Sequence, residues 1–204
     1  MTLVTKQDFN WCQSTAKTVI SGCPVMPSGQ YPGVERGVIN WRAGTEPPEK
    51  AVDGSLSEGA TSFVLRMPQS FALPKLGTAA RAKFDRFIES VIVHELTHFR
   101  QYLACMKNTW PIRCMTSPEK CLDTYYTNPL ELEAHAVQIA YDLVVSGGAN
   151  SASPTEAEVF ASAVGKHIDA KICSLYTSNT RGQDARNFRA ALVAKVQQYF
   201  GTFV

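Results

Sequence analysis

The stretch FDRFIESVIVHELTHFRQYL, residues 84–103, decides the fold prediction. Its apolar residues recur every three or four positions, which is the spacing of one buried stripe along an α-helix. The residues of this stripe are Phe84, Phe87, Ile88, Val91, Leu96 and Phe99. We therefore predict a long helix over about residues 78–103.

Outward from this helix, the sequence patterns change from strand-like to helical along the chain. Residues 61–67 (TSFVLRM) are rich in β-branched and apolar types and end before Pro68, as a strand does. A second short strand is predicted at residues 37–41. Helical spacing is found at residues 6–20, 130–145, 154–175 and 184–200. We predict an α+β fold with a small sheet early in the chain and a mostly helical second half.

Length and charge limit the classes of protein to which the chain can belong. Its 204 residues fit a single domain, residues 1–204, whose motif-bearing core spans about residues 61–145. The net charge of +2 is too small to indicate nucleic acid or an anionic membrane as the main partner. No run reaches the roughly 18–20 apolar residues of a membrane-spanning helix, and no secretory signal pattern is visible. We expect a monomer that is cytoplasmic or exported by a leaderless route.

The six cysteines leave the redox compartment open. No two of them form a Cys-x-x-Cys pair, which argues against a thiolate zinc site or a thioredoxin-type redox pair. Buried free thiols in a reducing compartment and a set of disulfides in an oxidising one are both consistent with the count.

The motif His94-Glu95-Leu96-Thr97-His98 lies inside the long predicted helix. Two histidines four residues apart project from the same helical face, so that both imidazoles can bind one metal ion. Glu95 is turned by about 100° from His94, which suits it to contact a metal-bound water. Zinc lowers the pKa of such a water to about 7, and a carboxylate can then accept its proton as it attacks a carbonyl. The alternative is a pair of helix histidines that only pack or cap.

A catalytic zinc usually has three protein ligands, so the motif requires a third one elsewhere in the chain. The position six residues after His98 is Ala104, and the extended histidine pattern of the metzincins is therefore missing. A second predicted helix offers Glu131 and His135, which share one face at positions i and i+4, while Glu133 is rotated by about 200° from Glu131. All three residues stay open as the third ligand on this reasoning.

The motif at 94–98 followed by Glu131-Leu-Glu-Ala-His135 resembles the gluzincin type of zinc metallopeptidases. In that group a glutamate helix downstream of the H-E-x-x-H helix supplies the third ligand. The resemblance implies that Glu131 binds zinc, that Ala134 allows close approach to the active-site helix, and that His135 steadies the metal site. It also implies a zincin-like fold. The sequence departs from the pattern at His135, where gluzincins have an acidic or amide residue, so His135 could itself be a ligand.

The resemblance implies a zinc-dependent metallopeptidase that hydrolyses peptide bonds, with Zn²⁺ as cofactor and Glu95 as general base. Tyr126, or its neighbour Tyr125, precedes the glutamate helix and is a candidate for stabilising the oxyanion. Strand 61–67 could hold an extended peptide substrate by strand addition. The alternatives are a zinc hydrolase of a non-peptide amide, such as a cell-wall component, and a non-catalytic metal-binding protein. No sequence feature supports a nucleic-acid partner.

Overall fold

The computed structural model describes residues 3–10, 36–42, 53–56, 62–68, 75, 77–106, 128–147, 153–175 and 182–204. Its helices are α1 (Ala79–Met106), α2 (Pro129–Val145), α3 (Glu156–Ala161), α4 (Ala163–Leu175) and α5 (Gly182–Phe203). Its strands are β1 (Arg36–Arg42), β2 (Asp53–Leu56) and β3 (Ser62–Pro68). Within these ranges, no helix is both long enough and apolar enough to cross a membrane.

Helix α1 confirms the long helix that the sequence predicts. It follows Gly77, whose φ of +79° is a conformation that glycine adopts without strain. The Thr78 hydroxyl then accepts a hydrogen bond from the Arg81 amide at 3.1 Å, which satisfies one of the free donors at the helix start. From there Phe84, Ile88, Val91 and Leu96 of the apolar stripe are buried, and Ile88 and Leu96 are inaccessible to solvent.

Helix α2 begins and ends as its sequence predicts. The Asn128 side chain accepts a hydrogen bond from the Leu130 amide at 2.9 Å, and Pro129 occupies the first turn, where its missing N–H costs nothing. The helix stops at Val145, two residues before Gly147, which has a φ of +66°. A glycine in this conformation is the usual end of a helix.

The predicted helix at 154–175 is in fact two helices, α3 and α4, and Ser162 separates them. Its ψ of 153° is not helical. The Ser162 hydroxyl donates to the Val159 carbonyl at 2.9 Å and accepts from the Gly165 amide at 2.9 Å, so it ends α3 and caps α4. Gly165 is required here, because a Cβ at this position would lie 2.1 Å from the Val159 carbonyl oxygen.

Helices α2 and α5 pack against each other; α2 is largely buried, and α5 buries one face. Helix α5 confirms the helix predicted at 184–200 and contributes Leu192, Val196, Tyr199 and Phe203, which are inaccessible to solvent. The N-terminal segment adds to this helix, since the Leu3 amide donates to the Tyr199 hydroxyl at 3.1 Å. Residues 6–10 are helical, and the rest of the helix predicted at 6–20 lies outside the described residues.

The predicted α+β class is wrong. Only the main chain is described for the three strand segments, and the rest of the described chain is 85% helical. Strand β3 lies between β1, with which it pairs in parallel, and β2, with which it pairs antiparallel. These segments have seven, four and seven residues, and every described core side chain comes from a helix or from residues 3–10. The described protein is therefore helical, because the apolar stripes of its helices bury one another and not a sheet.

The chain forms two compact units. One comprises Met1–Lys6 with Arg100–Val204, and the other comprises Gln7–Phe99, so that the boundary falls inside α1. In the first unit, α2, α3, α4 and α5 form the helical core. In the second, the described core is the apolar stripe of α1 together with Phe9. The single domain that the sequence predicts stays a prediction.

Candidate metal centre

His94 and His98 lie on one face of α1, one turn apart. Their Nε2 atoms are 3.1 Å from each other, and the two rings meet edge to face with centroids 4.8 Å apart. Without a metal, one neutral imidazole can donate its Nε2 proton to the other at this distance. This separation is close to that of two nitrogen ligands of one tetrahedral zinc, which lie about 3.3–3.4 Å apart when each is about 2.0–2.1 Å from the metal.

Glu95 is 5% exposed, and His94 beside it is 7% exposed. His98 is partly accessible to solvent, one turn further along α1. This stretch of α1 therefore places two imidazoles, which are groups that can bind a metal, and one buried carboxylate within five consecutive residues.

A second pair of potential ligands lies on α2, in the other unit of the chain. Glu131 and His135 are buried, and a carboxylate oxygen of Glu131 and a ring nitrogen of His135 lie within 4.8 Å of each other. Their i, i+4 spacing places them on the same face of the helix, as the sequence predicts. The carboxylate and the imidazole are both groups that bind zinc.

Glu133, the competing carboxylate, is engaged on the opposite side of α2. It is 3% exposed, and its Oε1 accepts a hydrogen bond from the Tyr199 hydroxyl while its Oε2 pairs with the Lys195 ammonium. Burial raises the pKa of Tyr199 above its usual value, and the charge and hydrogen bond of Glu133 raise it further. The phenol therefore stays protonated and remains a donor to the carboxylate.

The last turns of α1 are tied to the start of α2 within the first unit. The Gln101 side-chain amide donates to the Leu130 carbonyl at 2.8 Å. Gln101 follows His94 by seven residues and His98 by three, so all three positions lie on nearly the same face of α1.

Sequence reasoning missed the partners of Glu133. Lys195 and Tyr199 lie more than 60 residues further along the chain, and no local pattern links them to α2. Their i, i+4 spacing on α5 was the only available signal. The oxyanion candidates Tyr125 and Tyr126 lie outside the described residues.

Comparison with known proteins gives no match. No protein-family model, no curated protein and no solved structure matches the chain. The resemblance to gluzincins that residues 94–98 and 131–135 suggest therefore stays a prediction.

Proposed function

We propose that the protein is a zinc-dependent metallopeptidase of gluzincin type that hydrolyses peptide bonds. The observation that carries the proposal is the His94–His98 pair, whose Nε2 atoms are 3.1 Å apart on one helix. This separation is within about 0.3 Å of that between two nitrogen ligands of one tetrahedral zinc. The buried carboxylate of Glu95 beside the pair supports a catalytic site in preference to a purely structural one.

Glu131 is the third ligand in this proposal. The partners of Glu133 support the choice, because a carboxylate that already binds Lys195 and Tyr199 has little capacity left for a metal. Helical geometry supports it as well, since residues 131 and 133 lie about 200° apart and only one of them can face a given neighbour. His135 lies on the Glu131 face and serves as the polar residue that orients this ligand, with direct ligation as the alternative.

Glu95 performs the proton transfers of the proposed reaction. When bound, zinc supplies a water of lowered pKa and polarises the substrate carbonyl. With the metal held by the chain, Glu95 would accept a proton from the attacking water and would deliver it to the amine nitrogen as the peptide C–N bond breaks. The residues that would hold the metal are His94, His98 and Glu131.

A variant pair on α1 tests this proposal. Glu95→Gln should keep zinc and lose nearly all hydrolysis, because an amide cannot accept the proton. Glu89→Gln is the matched control, since Glu89 is also buried in α1 but lies outside the motif. Metal content is measured by mass spectrometry, and cleavage is measured on a mixture of denatured proteins whose new termini are sequenced.

The outcomes separate the three classes of function. Zinc binding with cleavage that Glu95→Gln abolishes supports the peptidase. Zinc binding with hydrolysis of a cell-wall amide but of no peptide supports the non-peptide hydrolase instead. Zinc binding with no hydrolysis identifies a metal-binding protein, and a chain that takes up no zinc contradicts all three.

A further inference from the structure

Helix α2 is buried around almost its whole circumference. Its inaccessible residues Ala134, Ala136, Val137, Ile139 and Ala140 cover about 220° of the circumference, and the buried polar residues Glu131 and His135 lie on the remaining side. Three of the five apolar residues are alanines, whose small side chains define the rotation of the helix only coarsely. The direction in which Glu131 and His135 point must therefore be fixed by more specific contacts.

The contacts of Glu133 meet this requirement. Its two carboxylate oxygens are held separately, one by the Tyr199 hydroxyl and one by the Lys195 ammonium, and both donors come from one face of α5. Tyr199 is itself held, because its hydroxyl accepts a hydrogen bond from the Leu3 amide. Two donors restrain the rotation of α2 more closely than one does, because each binds a different oxygen of Glu133.

A metal site that includes Glu131 requires the rotation of α2 about its axis to be set accurately. A carboxylate oxygen lies about 6 Å from its helix axis, so a rotation of about 10° moves it by about 1 Å. Metal–ligand distances tolerate about 0.2 Å. A rotation of only a few degrees is therefore enough to spoil a ligand set. Glu131 and His135 are each rotated by 160–200° from Glu133, and whatever anchors Glu133 also directs them away from α5.

We infer that Lys195 and Tyr199 are positioning residues for the metal site: they anchor Glu133 and so fix the rotation of α2 that directs Glu131 toward the metal. This inference rests on the proposed function. Neither residue touches the metal or the substrate in this arrangement, and both act through Glu133.

The test compares zinc affinity and cobalt spectra of purified full-length variants. Tyr199→Phe removes one donor and keeps the ring, and Lys195→Met removes the other and keeps most of the stem. Each variant should bind Zn²⁺ about 10- to 100-fold more weakly in competition with a chromophoric chelator, as is typical for residues that orient a ligand. The visible absorption of bound Co²⁺, which reports ligand geometry, should change in both. Lys195→Arg should restore much of the affinity, because it keeps a donor.

Thr155→Ala is the matched control for a general loss of stability. It removes the hydroxyl that caps α3 and leaves both α5 donors of Glu133 in place, so it should lower the melting temperature with no change in zinc affinity or in the cobalt spectrum. Combining Tyr199→Phe with Glu133→Gln should cost no more affinity than the larger single effect, since both act on the same contact.

Each outcome has a separate meaning. If the wild-type chain binds zinc and both Tyr199→Phe and Lys195→Met bind it equally well with unchanged cobalt spectra, the positioning role is refuted while the proposed function stands. If Thr155→Ala weakens zinc as much as they do, the effect is one of stability and the positioning role is again refuted. If the wild-type chain binds neither metal, the proposed function fails and this inference fails with it.

Discussion

Substitution by alanine should affect mainly stability at Glu133 and mainly zinc affinity at Glu131, although the two residues are only two positions apart. In Glu133→Ala the buried Tyr199 hydroxyl loses its acceptor, which costs about 1–3 kcal/mol of the free energy of unfolding. The side chain of Lys195 is 33% exposed and can turn its ammonium into water, so its lost ion pair adds only about 0–1 kcal/mol. With about 0.8 kcal/mol for the packing of the removed methylene, the metal-free protein should be destabilised by about 2–5 kcal/mol.

For zinc affinity, Glu131→Ala should be the more damaging of the two substitutions. Glu131→Ala removes a proposed ligand and should weaken zinc binding by more than the 100-fold upper limit expected for an orienting residue. Glu133→Ala should weaken it only within the 10- to 100-fold range. Unfolding is followed by circular dichroism in urea without metal, and zinc affinity is measured by chelator competition. The reasoning is refuted if Glu133→Ala costs less than about 1 kcal/mol, or if it is the variant that loses zinc while Glu131→Ala retains it.

Three further predictions concern stability. Gly165→Ala should destabilise the protein by at least about 1–3 kcal/mol, because the clash with Val159 outweighs the helix propensity of alanine. Gly201→Ala has nothing within 4 Å of the new Cβ and should stabilise the protein by up to about 1 kcal/mol. Equal shifts of the urea midpoint in the two variants would contradict this. The hydrogen bonds from Thr155 lower the pKa of Glu158 below 4.5, so its contribution is present above pH 4.5 and lost as pH falls through the lowered value. Glu158→Gln should therefore lower the melting temperature at pH 7 but hardly at pH 3, and a deficit that persists at pH 3 would argue against the capping role. Zinc at 100 times its dissociation constant should stabilise the chain by about 2.7 kcal/mol, an increase that a chelator reverses; a melting temperature indifferent to zinc would mean that the folded state does not bind it.

The helices were predictable because their signals are local. The apolar stripe of α1, the Asn128 cap of α2 and the glycine after its end each use residues within a few positions of one another. The histidine pair was predictable for the same reason, since i, i+4 spacing in a helix fixes both ring positions once the helix is known.

The errors came from two sources, a local side-chain hydrogen bond that interrupts a helix and packing between residues far apart in the sequence. Residues 154–175 have one continuous helical spacing, but the Ser162 hydroxyl offers its own hydrogen bonds to the backbone and divides the helix. The prediction of an α+β class relied on runs of β-branched residues. The core depends instead on which surfaces bury one another, and in the described chain these surfaces are helix faces. The role of Glu133 depends on residues of α5, which sequence spacing does not connect to α2.

The choice between an enzyme and a metal-binding protein depends on Glu95, because the histidine pair serves either. A structural zinc site is closed by four protein ligands and has no use for a carboxylate beside the first histidine. Val93 and Leu96, close to Glu95 in α1, are fully buried apolar residues. An apolar residue at position 95 would avoid the cost of burying a charge. A function that uses the carboxylate explains why it is there, and proton transfer to and from a water is such a function. Loss of hydrolysis with retention of zinc in Glu95→Gln is therefore the result that assigns the chain to the enzymes.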